Sequence, residues 1–239
     1  MARKWQTSMP AWTSTSITET AGTARTGPAT WLAGLRRPPG PRIMAMLRLA
    51  VFLLCGLPAA ALVAGLFLGH LGANPVETLL HSTGVWSLRL LLVTLAVTPL
   101  RWLTGAAWVV RLRRQIGLWA FAYAFAHFGV FTVFDHGLAL VPILEDIARR
   151  PYILVGTSAL LLMLPLAVTS TQGWMRRLGR QWKRLHWLIY PAAVLGLVHF
   201  FWLIKANRWT EPLTYAALLA LLLGWRLWQR RPAAADTVG

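Results

Sequence analysis

An all-α membrane protein, a bundle of six transmembrane helices with both termini cytoplasmic, is the fold class predicted by this sequence of 239 residues. Three observations predict it. Hydrophobic residues make up 56% of the chain and charged ones only 13%, against roughly 25% charged in a soluble domain. The apolar residues gather into six runs, at 47–68, 85–103, 115–134, 152–169, 186–204 and 212–229. Each is close to the roughly 20 residues that a helix needs to cross the hydrocarbon core. The basic residues lie between the runs and favour alternate sides.

Ahead of the first run, residues 1–42 are rich in Ser, Thr, Pro and Gly without helical period. They read as disordered and contain no apolar core of signal-peptide type. Met44 or Met46 is an alternative start, which makes 1–46 an extension outside the fold; a regulatory tail is the competing reading. Residues 47–230 read as one membrane domain and 231–239 as a short cytoplasmic tail. The first run carries Cys55, the one cysteine of the chain. It can form neither an intramolecular disulfide nor a Cys-x-x-Cys pair, and reads as a small lipid- or helix-facing residue. Pro58, Pro165 and Pro191 fall inside runs, which a bundle tolerates when neighbours or water satisfy the freed backbone groups.

Charge sets the orientation. Nineteen of the 24 basic residues precede the first run, follow the second, fourth or sixth, or lie at the ends of the first, second and last runs on that same side; Arg149, Arg150, Lys205 and Arg208 occupy the opposite loops. Five of the seven acids (Glu77, Asp135, Glu145, Asp146 and Glu211) lie on that poorly basic side. The positive-inside rule then puts both termini in the cytoplasm and the 70–84, 135–151 and 205–211 loops outside. The net charge of +17 therefore reports membrane topology. Nucleic-acid binding is set aside, because the basic clusters abut apolar runs and accompany no recognisable nucleic-acid module.

Of the six histidines, His70 and His136 fall near outer loop ends and read as solvated or interfacial. His127 in the third run and His186 and His199 in the fifth are the informative ones, since an intramembrane imidazole is costly without a partner. Their ordinary alternative is a helix-to-helix hydrogen bond. His127 lies 12 residues after Gln115, about 18 Å along a helix, and His199 lies 14 after Leu185, about 21 Å. The two share a depth in the outer half of the bilayer. Two neutral imidazoles on facing helices can take both axial positions of one haem iron, and bundles supply the apolar slot. His186 lies about 19.5 Å below His199. The positions opposite it on the third run are Arg113 and Arg114, which are not plausible iron ligands. It is either a ligand of a second haem with an unidentified partner or an interfacial residue beside Trp182 and Trp187. Arg89 is either a snorkelling side chain or a counter-charge for haem propionates, a role in which His81 could assist.

Several short strings carry a resemblance: Leu80-His81-Ser82-Thr83-Gly84, Thr98-Pro99-Leu100, Arg113-Arg114-Gln115-Ile116-Gly117-Leu118-Trp119, Arg150-Pro151-Tyr152, Thr169-Ser170-Thr171-Gln172, and Leu185-His186 followed by His199. In order and spacing, over about residues 47–230, the chain resembles the haem-binding membrane subunit of the periplasmic protein-methionine-sulfoxide reductase system. That subunit lies within the ferric reductase and NADPH oxidase transmembrane superfamily. The resemblance implies haem b, one or two per chain, and FMN. It implies His127, His186 and His199 at the positions of the superfamily haem histidines, with the first of the usual four absent. It implies a bacterial inner-membrane protein, with a periplasmic molybdopterin-containing reductase as partner and the quinone pool or a cytosolic flavin reductase as donor. The 1–46 extension has no counterpart in the family pattern.

The residues suit electron transfer more than substrate chemistry. No Gly-x-Gly-x-x-Gly fingerprint follows a strand, and the outer loops carry acids and aromatics but no catalytic constellation. Two other functions stay open: a stand-alone transmembrane ferric or quinone reductase, and a transporter without redox cofactor. Transporters often show internal repeats, and no clear repeat is visible here.

Overall fold

The computed structural model describes residues 36–203 and 209–229, and every regular element among them is helical. The helices are α1 (Pro41–Phe67), α2 (Pro75–Thr104), α3 (Val110–Val130), α4 (Leu140–Arg149), α5 (Pro151–Val168), α6 (Gln172–Leu178), α7 (Arg180–Leu185), α8 (Ile189–Trp202) and α9 (Thr210–Trp228). Short 3-10 turns at Ala107–Val109 and His186–Leu188 lead into α3 and α8, and one π-helical segment, Phe131–Asp135, extends α3. Among the described residues, five helical stretches are long and apolar enough to cross a membrane: Pro41–Phe67, Pro75–Thr104, Ala107–Asp135, Pro151–Val168 and Arg180–Trp202. The sixth expected span corresponds to α9. It is 19 residues long but carries Glu211 and Arg226, and it is not among those five.

The second helix departs most from expectation. It begins at Pro75, ten residues before the run at 85, so most of the expected 70–84 loop is helix. Asn74 caps it by accepting a hydrogen bond from the Glu77 N–H at 3.2 Å, and Pro75 occupies the first position, where its missing N–H costs nothing. The polar residues of that first stretch hid it from a hydropathy reading. The 135–151 segment likewise contains a helix, α4, on which Leu140, Val141 and Leu144 are exposed. The first helix also starts early: it crosses the expected boundary at residue 46, and Met44 is buried in the core. The disorder expected for residues 1–35 and the tail at 231–239 lie outside the described residues.

The core is centred on α2, whose Leu88, Leu91, Leu92, Leu95 and Val97 are all buried. The two most extensive helix pairings are α2 with α3 and α5 with α8. Small residues bring the first pair close: a Cβ at Gly117 would lie 3.5 Å from the Thr94 methyl group, and the Ser87 hydroxyl donates to the Ala120 carbonyl at 3.0 Å. Helix α1 packs outside this pair and leaves most of its apolar surface exposed.

Pro58 interrupts α1 without ending it. The Tyr123 hydroxyl of α3 accepts from the Ala59 N–H at 2.8 Å and donates to the Cys55 carbonyl at 2.8 Å. A neighbouring side chain thus bridges the interrupted ladder, as a proline inside a membrane helix requires.

Candidate functional site

His127 and His199 face each other near the C-terminal ends of α3 and α8. Their ring centroids are 6.0 Å apart and the ring planes are 81° to one another. Each ring is held by a helix other than its own. His127 Nδ1 lies 2.9 Å from the Leu80 carbonyl oxygen of α2, and His199 Nδ1 lies 2.7 Å from the Tyr152 carbonyl oxygen of α5. A carbonyl can only accept, so each contact requires the proton on Nδ1 and leaves Nε2 with a free lone pair. That is the tautomer of an imidazole prepared to bind a metal through Nε2.

Glycine makes both approaches possible. A Cβ at Gly84 would stand 3.1 Å from His127 Nδ1, and one at Gly156 would stand 2.7 Å from His199 Nδ1. In each socket the glycine sits four residues after the accepting carbonyl, one turn along the same helix. Each histidine lies 47 residues after its carbonyl partner. The same device is therefore built twice, once by α2 and α3 and once by α5 and α8. The sequence, read alone, shows no clear internal repeat, and this doubling does not amount to one. The repetition rests on three positions 72 residues apart (Leu80 and Tyr152, Gly84 and Gly156, His127 and His199), too sparse to show as sequence similarity.

The arrangement fits a metal-centred group. A metal–imidazole bond is about 2 Å long, so one metal held between two rings puts their centroids roughly 6 Å apart. Among the described residues, no group of three or more His, Cys, Asp or Glu side chains could hold a metal ion by itself. Two opposed imidazoles suit a metal whose other ligands come from a macrocycle.

The other expected site residues are placed differently. Arg89 has protein partners: its Nε donates to the Tyr215 hydroxyl at 2.7 Å, and its guanidinium lies 3.3 Å from Glu211 and 5.2 Å from the Trp86 ring centroid. His81 and Arg89 line one small cavity of about 170 Å³ together with Ser82, Val85, Trp86 and Glu211. The His81 ring packs 6.3 Å from Phe200. His186 is not brought to the pair. Its Nδ1 is 3.1 Å from the Trp182 carbonyl, one turn back in its own chain segment, and its ring lies 3.9 Å from the Trp182 ring. His136 packs on Phe131 at 4.7 Å. Its Nε2 is 3.3 Å from Asp146, but the geometry is not that of a hydrogen bond.

Sequence reasoning missed the carbonyls of Leu80 and Tyr152, the two glycines, and the Glu211–Tyr215 clasp on Arg89. Gly84 and Gly156 were visible as glycines inside helices that face histidine-bearing ones. The carbonyls carried no signal, since every residue has one.

A multi-pass helical membrane protein with paired histidines at one end is the class that fold and site define, and residues 83–197 match the family described as "Ferric reductase like transmembrane component". The chain is also 54% identical over 167 residues to the protein-methionine-sulfoxide reductase heme-binding subunit MsrQ of Xanthomonas axonopodis pv. citri, covering 70% of this chain and 76% of that one. It is 46% identical over 193 residues to the protein of that name from Azospira oryzae, covering 80% and 83%. The chain belongs to this family of heme-binding subunits. No solved structure matches it.

Proposed function

We propose that this chain is the haem b membrane subunit of a periplasmic methionine-sulfoxide reductase system. It would receive electrons from quinol or a cytosolic flavin reductase and pass them to a molybdopterin-containing partner outside. The observation that carries the reading is the opposed pair His127 and His199, each with Nδ1 on a carbonyl of another helix. Haem held by His127 and His199 would supply a one-electron carrier, and with both imidazoles bound it would leave no open position for substrate. The chain's own residues then have defined roles. His127 and His199 present Nε2 to the iron, Leu80 and Tyr152 fix the tautomer, and Gly84 and Gly156 leave room for the rings. Arg89, anchored by Glu211 and Tyr215, stands near the outer end as a positive charge with His81 beside it. Methionine-sulfoxide chemistry belongs to the partner. FMN as a second cofactor is proposed on the family resemblance alone, and none of the residues of the histidine pair is assigned to it.

The topology belongs to the same proposal: six spans with α9 as the last, both termini cytoplasmic, in a bacterial inner membrane, with residues 47–230 as the haem domain. The asymmetry of basic residues supports it. Cysteine labelling tests it directly. In a Cys55→Ala background, a cysteine placed at Leu140 should react with an impermeant thiol reagent added outside, and one placed at Leu178 should not. The reverse pattern sinks the orientation.

The cofactor reading is tested on purified protein. His127→Ala and His199→Ala should each abolish the low-spin haem absorbance while the chain still inserts. An unchanged spectrum in both variants would remove the pair from the site.

A further inference from the structure

At the end of the bundle away from the histidine pair, a cavity of about 490 Å³ opens between α1 and α3. That is within the roughly 300–1,000 Å³ range of small-ligand sites. Arg48 of α1 and Arg111 and Arg114 of α3 line it. No acidic residue lines it, and none of the three arginines belongs to an ion pair among the described residues. Its apolar wall is Phe52 against Trp119, with ring centroids 5.1 Å apart. The wall is tightly set, since a Cβ at Gly56 would come within 3.1 Å of Trp119. Gln115 donates to the Arg48 carbonyl at 2.7 Å and ties the two helices at the level of the arginines.

Depth selects among anionic ligands. From Leu49 to Phe67, α1 continues for about 28 Å at 1.5 Å per residue, close to the roughly 30 Å of a hydrocarbon core. Arg48 therefore sits at the border of hydrocarbon and headgroups, which is the level of phospholipid phosphates. Just beyond it, Leu49, Phe52 and Leu53 are 58%, 52% and 59% exposed and offer an apolar track continuous with the cavity. A ligand that satisfies both features carries an anionic phosphate on an apolar body.

We infer that this cavity is a binding site for the headgroup of an anionic phospholipid. The arginines take the phosphodiester, and an acyl chain lies along α1. Basic pockets between membrane helices on the cytoplasmic side suit such headgroups, and arginine's planar fork matches phosphate oxygens.

The test uses the full chain in phosphatidylcholine nanodiscs doped with phosphatidylglycerol, with the bound phosphatidylglycerol counted after transfer to detergent. The triple substitution Arg48→Gln, Arg111→Gln and Arg114→Gln should lower retention at least about tenfold. The triple Arg176→Gln, Arg177→Gln and Arg180→Gln, on the same basic side but off the cavity, should change it by less than about twofold. If the first triple variant fails to insert, Arg114→Gln alone should lower retention about fivefold. Equal losses in the two triple variants, or none in the first, would overturn the site. Displacement of the lipid by equimolar inorganic phosphate or FMN would reassign the cavity to a soluble phosphate ligand and overturn the lipid assignment.

Discussion

His199 and His186 share one helical segment, 13 residues apart, yet the protein treats them in opposite ways. His199 is clasped from outside its own helix: a carbonyl of α5 accepts a hydrogen bond from its Nδ1–H and a glycine of α5 clears its path. His127 is clasped in the same way by α2. His186 is anchored locally, against the carbonyl and ring of Trp182 one turn back, at the end of the molecule where the arginines cluster. Anchoring from another helix fixes a ring relative to the whole bundle. Local anchoring fixes it only relative to its own turn. The comparison teaches that an intramembrane histidine is better judged by what orients its ring than by its depth.

The largest effect expected is complete loss of low-spin haem in either His127→Ala or His199→Ala. The next is steric. Gly156→Ala pushes a methyl group to 2.7 Å from His199 Nδ1, and such overpacking typically costs about 1–3 kcal/mol. It should reduce haem occupancy and shift the reduction potential, and more so than Gly84→Ala, where the approach is 3.1 Å. Equal occupancy in both glycine variants and wild type, by pyridine haemochrome, would show that the sockets are looser than their geometry.

The contrast with His186 predicts a kinetic effect alone. His186→Ala should keep the spectrum of haem held by His127 and His199 and slow its reduction by the natural donor. Wild-type reduction rates in stopped-flow would return His186 to a purely interfacial role. The smallest effect lies outside both regions. Tyr123→Phe removes the hydroxyl that bridges α1 at Pro58 and should cost about 1 kcal/mol. It should lower the thermal midpoint by a few degrees without altering the spectrum; a spectral change would couple α1 to the site in a way the fold does not predict.

Much of this architecture was legible because bilayer thickness writes itself into sequence as run length. The depth match of His127 and His199 followed from one number, the helical rise. The start of α2 was legible in principle, since Asn74-Pro75 followed by Glu77 is a capping signature, but polar residues up to Thr83 masked it. The α4 helix was missed for a related reason: its ten residues are too few to span and too amphipathic to look like a loop or a core. The histidine sockets were not legible. They depend on which backbone carbonyl meets which ring, and that is decided by helix packing. The doubled construction shows only when Leu80 and Tyr152 are seen in the same role.

The most direct test of the central claim is low-temperature electron paramagnetic resonance of the oxidised, purified chain. Haem iron bound by His127 and His199 at the 81° between their ring planes would give a highly anisotropic low-spin ferric signal. The account predicts that signal in wild type and in His186→Ala, and its absence in His127→Ala and His199→Ala. A high-spin ferric signal in wild type, or a low-spin signal that survives loss of either His127 or His199, would contradict it.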